Sequence, residues 1–381
     1  MRRRLEKLLL FAATLIATYI AYACSGNVNH SDSSTQQQKH AEVSDFTSDA
    51  KIWSDSVVSA MDTTELIGQL IMPASYTSTD AATLNRVIRY IAADNLSGIV
   101  WLKGDTTSMK ILTDTLARHS KIPLFQAIDA EWGLAMRLEG ATLIPRNPQL
   151  TNASPEQLFD YGVLVASEAR RLGINIILAP VLDVVSVEAS AMRRRSYGSN
   201  PDTVARQGCA FASGIASQGV MPVAKHFPGL GATRTDTHKA LPTLRRSRSE
   251  LDSLDLLPFS RYISQDIGGI MTGHIYIPDL DSIKRPATLS PVVINGLLRT
   301  DMGFNGLIFT DAMNMRGMET DTSARPYVEA LLAGADMLIV PIDTREAITE
   351  IRTAIADGSL PLEIIREKAR RILFQKYRLL Y

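Results

Sequence analysis

The chain has 381 residues, of which 45% are hydrophobic, and its 40 basic and 40 acidic residues give a formal net charge of zero. An apolar content of this size is ample for a large core, and the length allows either two domains or a single α/β barrel. The balanced charge and the lack of a basic stripe argue against a nucleic-acid partner. What remains is a neutral enzyme or a neutral binding protein.

The N-terminus has the pattern of an export signal. Four basic residues within the first seven precede an apolar run, Leu8–Ala23, that is too short to span a bilayer comfortably. Cys24 follows the small-x-small sequence Ala21-Tyr22-Ala23. Ordinary cleavage would release a soluble protein, whereas lipidation of Cys24 would make a membrane-anchored lipoprotein. We favour the lipoprotein, with residues 1–23 as its signal peptide and the periplasm or cell envelope as its location.

Residues 24–50 are rich in Ser, Asn, Gln, Thr and Asp and have no apolar period, which predicts a disordered polar tether. One folded domain is expected to follow over residues 51–381, in a protein that we expect to be a monomer. The only cysteine besides Cys24 is Cys209, so no disulfide framework is predicted.

From residue 51 onward, short apolar runs alternate with amphipathic stretches. The apolar runs predict eight strands, at residues 67–73, 97–103, 123–129, 174–183, 220–226, 268–274, 306–311 and 335–341. Helices are predicted at residues 82–93, 109–120, 154–172, 203–218, 249–264, 290–299, 327–333, 345–357 and 361–377. Strands that alternate with helices indicate a parallel sheet.

Polar residues close five of the predicted strands, and these residues are Asp129, Asp183, the pair Lys225-His226, His274 and Asp311. In a barrel the carboxyl ends of the strands converge on one face, where such folds place their chemistry. A doubly wound open sheet, the alternative, would scatter several of them. We therefore predict an α/β fold made of a single (β/α)8 barrel of the TIM type. A lone aspartate after a strand commonly caps the next helix, and Asp183 is expected to be structural, holding an arginine or a lysine.

The stretch from Lys225 to His238 contains the densest group of polar residues, with a loop rich in glycine and proline in its middle. The sequence shows no His-x-x-x-His pair, no cysteine cluster and no glycine-rich phosphate loop after the first strand. Neither a metal nor a cofactor is therefore predicted. Carboxylates, imidazoles and cations without a cofactor suit hydrolysis of a polar, neutral substrate such as a carbohydrate.

Glycoside cleavage needs a carboxylate at the anomeric carbon and a proton donor for the leaving oxygen. Asp311 is the candidate carboxylate. His238 is the candidate donor, because an unperturbed imidazole titrates at about pH 6.5, and Asp236 is placed to orient its ring. The candidates for clamping sugar hydroxyls are Asp129, Arg195, Lys225 and His226. His274 is a further substrate-binding candidate, and the alternative for it is a buried histidine whose hydrogen bonds are all made within the protein. Met313 is a candidate for the wall of the binding site or for the core.

Lys225-His226-Phe227-Pro228-Gly229 followed by Asp236-Thr237-His238 resembles the signature of glycoside hydrolase family 3, in its NagZ-like β-N-acetylglucosaminidase branch. Further segments resemble this family in the family's own order, and they are Asp129–Gly133 with Arg137, Ala179–Asp183, Arg195–Gly198, Thr310–Met315 and Gly334–Met337. The resemblance covers roughly residues 60–378.

The resemblance implies a retaining mechanism through a covalent sugar ester on Asp311, with His238 and Asp236 as the acid/base pair. It implies that Asp129, Arg137, Arg195, Lys225 and His226 bind a terminal N-acetylglucosamine, in substrates that are expected to be peptidoglycan fragments of the cell wall. Two features depart from the family or are unusual. Trp132 stands where the family usually has glycine, and residues 193–195 form a basic run, of which two arginines are expected to face solvent or an anionic aglycone.

Two other functions are considered. A lipid-anchored sugar-binding protein without catalysis is disfavoured, because Asp311, Asp236 and His238 are all present. A β-glucosidase-like hydrolase of the same family is disfavoured because those enzymes usually draw their acid from a second domain, for which this sequence has no room.

Overall fold

The computed structural model describes residues 33–235, 237–318 and 325–380, and it describes side chains from residue 47 onward. The chain divides into two units, residues 1–53 and 54–381. The predicted start of the folded domain, residue 51, lies three residues before the second unit. The predicted signal peptide and Cys24 lie outside the described residues.

A long helix occupies Ser33–Ala60, where the sequence predicted part of a disordered tether. The prediction of disorder is therefore corrected for residues 33–50, whereas residues 24–32 are not among those described. The helical stretch contains neither glycine nor proline and includes several alanines, glutamines and lysines, which are good helix formers. A polar composition alone does not separate such a helix from a tether.

The strands are β1 Ile71–Met72, β2 Ala74–Thr77, β3 Gly98–Asp105, β4 Phe125–Ile128, β5 Leu138–Glu139, β6 Ile176–Ile177, β7 Met221–Phe227, β8 Gly269–Thr272, β9 Ile308–Thr310 and β10 Leu338–Ile339. The larger sheet has the order β2-β3-β4-β6-β7-β8-β9, with β5 beside β3, and β1 pairs with β10. All these pairs are parallel. Because a doubly wound sheet reverses its strand order, this sequential order rules out the alternative fold.

Each of the eight predicted positions carries a strand, but the first strand begins at Ile71 rather than at Ile67. Ile67 lies in the short helix Thr63–Gly68, which Asp62 caps by accepting the Glu65 N–H at 2.8 Å. A short apolar run does not by itself distinguish the end of a helix from the start of a strand. The strands β2 and β5 were not predicted.

The remaining α-helices are Ala81–Ala92, Thr106–His119, Pro155–Arg171, Pro201–Ser217, Arg248–Glu250, Leu257–Ile263, Pro326–Ala333, Thr344–Ala356 and Leu362–Leu380. The predicted helices at 249–264 and 290–299 contain π-helical turns, at Leu251–Asp255 and Val292–Asp301. Ser154 caps the helix that begins at Pro155, because its hydroxyl accepts the Gln157 N–H at 3.2 Å. None of the helices in the described ranges is long and apolar enough to cross a membrane.

The central strands β4, β7 and β8 are buried on both faces, as is usual for parallel sheets covered by helices. Every residue of β4, β7 and β8 is buried. This includes Lys225 and His226, whose burial is costly unless other polar groups bond them. Their partners lie at the carboxyl ends of neighbouring strands.

Candidate active site

Five charged side chains meet at the carboxyl ends of β4 and β7, and we call them the charge cluster. Lys225 Nζ lies 2.6 Å from Asp129 Oδ1 and 2.8 Å from Glu131 Oε1. Arg137 Nη2 donates to the other oxygen of Asp129. Arg195 donates to both oxygens of Glu131, from Nη2 at 2.6 Å and from Nε at 3.0 Å. The structure thus brings together four of the predicted site residues and adds Glu131.

In the charge cluster, the attraction between opposite charges has a larger effect on the pKa values of Asp129, Glu131 and Lys225 than burial has. Burial raises the pKa of Asp129, but Lys225 and Arg137 hold that pKa well below its usual range. Burial likewise raises the pKa of Glu131, and Arg195 and Lys225 outweigh it and lower the pKa to about 2. Burial acts to lower the pKa of Lys225, but the two carboxylates raise it. These groups therefore stay charged at neutral pH.

Glu131 is the member of the cluster for which the sequence predicted no role, although it lies in the family-like segment Asp129–Gly133. Its side chain is 0% exposed, and it bonds both Arg195 and Lys225, so it holds two cations in place from the inside. The sequence signal that could have identified Glu131 is a second carboxylate, two residues after Asp129, in a segment that is otherwise apolar. A carboxylate buried in such a segment needs cationic partners.

A second network joins β7 to the loop that follows it. His226 Nδ1 lies 2.8 Å from Asp183 Oδ2, and the Leu230 N–H donates to Asp183 Oδ1 at 2.6 Å. His226 Nε2 lies 3.2 Å from Arg195 Nη2. Because a carboxylate only accepts and a guanidinium only donates, these partners assign the ring proton to Nδ1 and leave Nε2 as an acceptor.

Asp183 is structural, as predicted, but its partners differ from those expected. It holds an imidazole and a backbone N–H rather than an arginine or a lysine. The physical reason is that Arg195 and Lys225 are already bonded to Glu131, which lies at the end of a different strand.

Asp311 lies directly after β9 and is held by the backbone. Its N–H donates to the Thr272 carbonyl of β8 at 3.0 Å, and its carboxylate accepts the Ala312 N–H at 2.8 Å. Burial raises the pKa of Asp311, but His226, His274 and the Ala312 N–H outweigh it and bring the pKa below its usual value. Asp311 is therefore a carboxylate at neutral pH, which is the form that a nucleophile needs.

His274 is fully buried beside the Asp311 loop. Its Nε2 lies 3.0 Å from the Ala312 carbonyl and its Nδ1 lies 2.8 Å from Thr288 Oγ1. Burial lowers the pKa of His274, which favours a neutral ring that donates from Nε2. Both ring nitrogens thus bond the protein, and this arrangement positions the Asp311 loop. Substrate contact by His274 stays a prediction.

Met313 lies in the same loop, and its side chain is almost fully buried. The Met313 N–H donates to the Ile339 carbonyl of β10 at 3.0 Å, so this bond fixes the loop to the last strand. A buried methionine suits a wall or core position. Direct contact with substrate stays a prediction for Met313.

The loop that carries His238 is attached to the loop that carries Asp311. The Gly317 N–H donates to the Thr237 carbonyl at 2.8 Å. A Cβ at Gly317 would lie 3.0 Å from both the Thr237 oxygen and His274 Cβ, so the two loops meet where a side chain hardly fits. The His238 side chain is exposed. Asp236 lies outside the described residues.

Metal binding has no structural support in the described part of the chain. Within residues 33–235, 237–318 and 325–380, no three His, Cys, Asp or Glu side chains are arranged to hold a metal ion.

Replacing Lys225 with alanine should destabilise the fold by about 3–5 kcal/mol at pH 7, because it leaves two buried carboxylates without a shared cation. The carboxylates of Asp129 and Glu131 have depressed pKa values in the folded protein, so their stabilisation is present above their unfolded pKa and is lost as pH falls. The deficit of the variant should therefore stay nearly constant between pH 7 and about pH 5 and shrink as the pH falls below about 4. Urea unfolding at about pH 7, 5 and 3 measures this.

The matched control for Lys225 is Lys110, which pairs with Asp114 on an exposed helix surface. Lys110→Ala should cost only about 0.3–0.5 kcal/mol. Equal losses for the two variants, or a Lys225→Ala deficit that does not change with pH, would contradict the assignment of Lys225 as the buried counter-ion.

Known proteins resemble this chain over most of its length. A sequence model described as the glycosyl hydrolase family 3 N-terminal domain matches residues 62–374. A β-hexosaminidase of Idiomarina loihiensis is 32% identical over 285 residues, which are 72% of this chain and 83% of that protein. β-Hexosaminidase A of Pseudoalteromonas piscicida is 36% identical over 245 residues, which are 59% of this chain and 41% of that protein.

Among solved structures, a glycoside hydrolase family 3 β-N-acetylglucosaminidase from Paenibacillus sp. superposes with a TM-score of 0.78 and 32% identity. The match covers 84% of this chain and 62% of that one. The chain therefore spans less than two thirds of this structure, and about two fifths of the Pseudoalteromonas protein.

Proposed function

The chain belongs to glycosyl hydrolase family 3, and from this membership we propose that it is a retaining exo-β-N-acetylglucosaminidase. It removes a terminal, non-reducing N-acetylglucosamine, with peptidoglycan fragments of the cell wall as its substrates. In this proposal Asp311 attacks the anomeric carbon and forms a covalent glycosyl ester. His238, assisted by Asp236, protonates the leaving oxygen and then activates the water that hydrolyses the ester.

The observation that carries the proposal is the 2.8 Å hydrogen bond between Gly317 and Thr237. It joins the loop of the proposed acid/base to the loop of the proposed nucleophile. A retaining glycosidase needs both groups at one scissile bond. Asp311 is ionised and fixed by the backbone, and the exposed side chain of His238 is the group that, in this proposal, meets the leaving oxygen.

The exposed fractions of the side chains in the charge cluster support two roles, one for residues that bind the sugar and one for residues that hold those residues in place. The side chains of Arg137, Asp129 and Arg195 are 25%, 17% and 27% exposed, so they can reach a sugar. Glu131 and Lys225 are 0% and 3% exposed and bond these outer groups from below. Charge-assisted hydrogen bonds from such fixed groups would orient the sugar hydroxyls. His226, bonded to Arg195, would complete this binding set.

We also propose that the strands close into a (β/α)8 barrel. The Leu338 and Val340 N–H groups donate to the Leu70 and Met72 carbonyls, both at 2.8 Å, which pairs the last strand with the first. The Thr310 N–H donates to the Met337 carbonyl at 2.9 Å, which connects β9 to the residue before β10. These bonds support a continuous ring whose carboxyl ends all face the proposed site.

The function is tested by comparing nitrophenyl N-acetyl-β-glucosaminide with nitrophenyl β-glucoside, two substrates that differ only at C2. We expect kcat/KM to favour the acetamido sugar by about a hundredfold or more, since a site built to bond a polar group rejects analogues that lack it. Equal or better cleavage of the glucoside would favour a β-glucosidase-like enzyme. Binding without turnover of either would favour a sugar-binding protein.

Membrane anchoring through Cys24 is a further part of the proposal. Cys24→Ser should move the protein from the membrane fraction to the soluble fraction, because the acyl chains that hold it would be lost. Cys209 is buried, and Cys209→Ser serves as the control that should stay with the membrane. Fractionation followed by immunoblotting measures both, and unchanged membrane association of Cys24→Ser would contradict the anchor.

A further inference from the structure

A buried carboxyl group and a buried guanidinium lie beside the start of the loop that carries His238. Asp255 is 1% exposed, and neither of its carboxyl oxygens has a hydrogen-bond partner among the residues that the structure describes. Within the same residues, Arg246 Nε is also buried without a hydrogen bond, although it lies only 3.4 Å from Asp255 Oδ2. Buried polar groups in folded proteins are nearly always hydrogen-bonded, so an unbonded pair at this distance is unusual.

Asp255 packs directly against the backbone of this loop. A Cβ at Gly229 would lie 3.0 Å from Asp255 Cβ and 3.2 Å from its Oδ1, so only a glycine allows this close approach. Asp255 ends the π-helical turn Leu251–Asp255. The helix that follows packs on the end of β7, where the rings of Phe259 and Phe227 meet edge to face with their centroids 5.2 Å apart. The carboxyl group is therefore held in a fixed place beside the first residues of the loop.

Arg246 is connected to the same loop through one serine. Its Nη2 donates to Ser186 Oγ at 2.7 Å, and the Ser186 N–H donates to the Gly231 carbonyl at 3.3 Å. Asp255 thus contacts the loop at Gly229, and Arg246 is linked to it at Gly231. A bond between the two side chains would hold the loop at both positions, in the segment that leads to the proposed acid/base.

Asp255 can change its charge near neutral pH. Burial raises the pKa of Asp255 to about 7, although the charge of Arg246 acts to lower it. The negative charges of Asp183, which follows β6, and of Glu250, which precedes the π-helical turn, add to the rise. An ionised Asp255 would form a charge-assisted hydrogen bond with the nearest donor, Arg246 Nε, whereas a protonated one is attracted to it only weakly.

We propose that Asp255 and Arg246 are positioning residues for the loop of the proposed acid/base, and that the charge of Asp255 decides how firmly they hold it. The inference rests on the proposed glycosidase function. When Asp255 is ionised, its carboxylate accepts the Arg246 Nε–H, and the bonded pair fixes the loop at Gly229 and Gly231. When Asp255 is protonated, this bond is lost and His238 is placed less accurately at the leaving oxygen. Both residues act through His238 rather than on the substrate.

Asp255→Asn tests the role of the charge, because asparagine keeps the shape of the side chain and cannot ionise. At about pH 8 we expect the variant to cleave chitobiose about tenfold more slowly than wild type, since a misplaced general acid loses part of its contribution. At about pH 5.5, where the wild-type carboxyl is itself protonated, the two rates should be nearly equal. The burst of nitrophenolate from a nitrophenyl glycoside needs no proton donor and should be the same in both proteins at both pH values. Stopped-flow absorbance and product analysis measure these rates.

Variants of Arg246 and Glu350 complete the comparison. Arg246→Gln should behave as Asp255→Asn does, because Asp255 without its cation stays protonated, whereas Arg246→Lys keeps the charge and should keep most of the wild-type rate at about pH 8. Glu350→Gln is the matched control. Burial also raises the pKa of Glu350, but its carboxylate accepts the Val328 N–H of another helix at 2.9 Å, so this variant should match wild type at both pH values. Equal rates of wild type and Asp255→Asn on chitobiose at about pH 8, or equal slowing on both leaving groups, would overturn the proposal.

Urea unfolding separates positioning from a loss of stability. The pKa of Asp255 is raised in the folded protein, so the stability of wild type falls as the pH rises from the unfolded pKa of about 4 to the folded one. Asparagine does not ionise, and Asp255→Asn should therefore be at least as stable as wild type at about pH 8. A variant less stable than wild type at that pH would contradict a buried, ionisable Asp255.

Hydrogen exchange of the amides in residues 229–238 tests the positioning without turnover. After correction for the chemical exchange rate, wild-type protection should rise between about pH 5.5 and pH 8, whereas in Asp255→Asn it should stay low. Amides of the helix Leu257–Ile263 should be protected equally in both proteins. Equal loop protection in the two proteins would overturn the positioning role. Absence of wild-type turnover of nitrophenyl N-acetyl-β-glucosaminide would instead overturn the proposed function, and the exchange result would still decide the positioning.

Discussion

Replacing Asp311 with alanine is expected to abolish turnover of every glycoside, with kcat falling by about 10⁴-fold or more, as it does when a covalent nucleophile is removed. The nucleophile acts in the first step, so no leaving group, however activated, should bypass it. Asp311 is in the ionised state that a nucleophile needs, because the basic groups around it and the Ala312 N–H outweigh burial and keep its pKa below the usual value. Steady-state rates with aryl and disaccharide substrates measure the loss.

Azide provides a sharper readout of the same substitution. In Asp311→Ala a small anion can enter from the side that the carboxylate occupied and displace an activated aryl leaving group directly. One displacement inverts the anomeric centre, so the product should be the α-glycosyl azide. NMR of the product identifies its configuration. A β-azide from this variant, or turnover close to wild type without azide, would remove Asp311 from the role of nucleophile.

Asp105 provides the matched control, because it also closes a strand. Its carboxylate accepts the Ser108 N–H at 2.8 Å and caps the helix Thr106–His119. Asp105→Ala should therefore lower stability by about 1 kcal/mol and leave kcat close to wild type.

The contrast between Asp105 and Asp311 shows what the sequence could predict about the site. Both aspartates follow an apolar run, and the local pattern fits a cap and a catalytic group equally well. Their functions differ because a helix begins directly after Asp105, whereas Asp311 lies beside Thr272 of β8 and in the field of His226 from β7. The convergence of strand ends was predictable from the order of the elements. The partners of each carboxylate were not.

The pairing within the charge cluster illustrates the same limit. The sequence predicted that Asp129 and Lys225 lie at converging strand ends and that Arg195 binds the same sugar, and the structure brings the three together. The sequence did not predict that Glu131 bonds Arg195 or that Asp183 bonds His226. These choices depend on distances of a few ångströms between strand ends that are distant in the sequence, and periodicity carries no information at that scale.

The periodicity of apolar residues predicted whether an element is a helix or a strand more reliably than it predicted the hydrogen bonding within that element. Alternating apolar runs and amphipathic stretches predicted the parallel α/β fold. The π-helical turns at Leu251–Asp255 and Val292–Asp301 were not predicted, because stretches of 5 and 10 residues are too short for their apolar spacing to distinguish i→i+5 from i→i+4 bonding. The helix over Ser33–Ala60 was missed up to residue 50 because its polar composition resembles that of a tether.

Replacing His238 with alanine should separate substrates by their leaving groups. A sugar alkoxide needs a proton as the bond breaks, whereas an activated aryl oxide leaves without one. We expect disaccharide cleavage to fall by about 10²–10⁴-fold, the usual contribution of a general acid. With a nitrophenyl glycoside, the first step should continue and release a burst of nitrophenolate, followed by slow hydrolysis of the accumulated ester. Stopped-flow absorbance measures the burst and the slow phase.

Azide should accelerate that slow phase, because it attacks the ester without needing a general base. The second displacement restores the original configuration, so His238→Ala should give the β-glycosyl azide, the opposite anomer to that expected from Asp311→Ala. His119, exposed at the end of the helix Thr106–His119, provides the control, and His119→Ala should behave as wild type. If His238→Ala instead lost activity equally on both leaving groups, gave no burst and ignored azide, the acid/base role would belong to another residue. The Thr237–Gly317 bond would then serve only to attach one loop to the other.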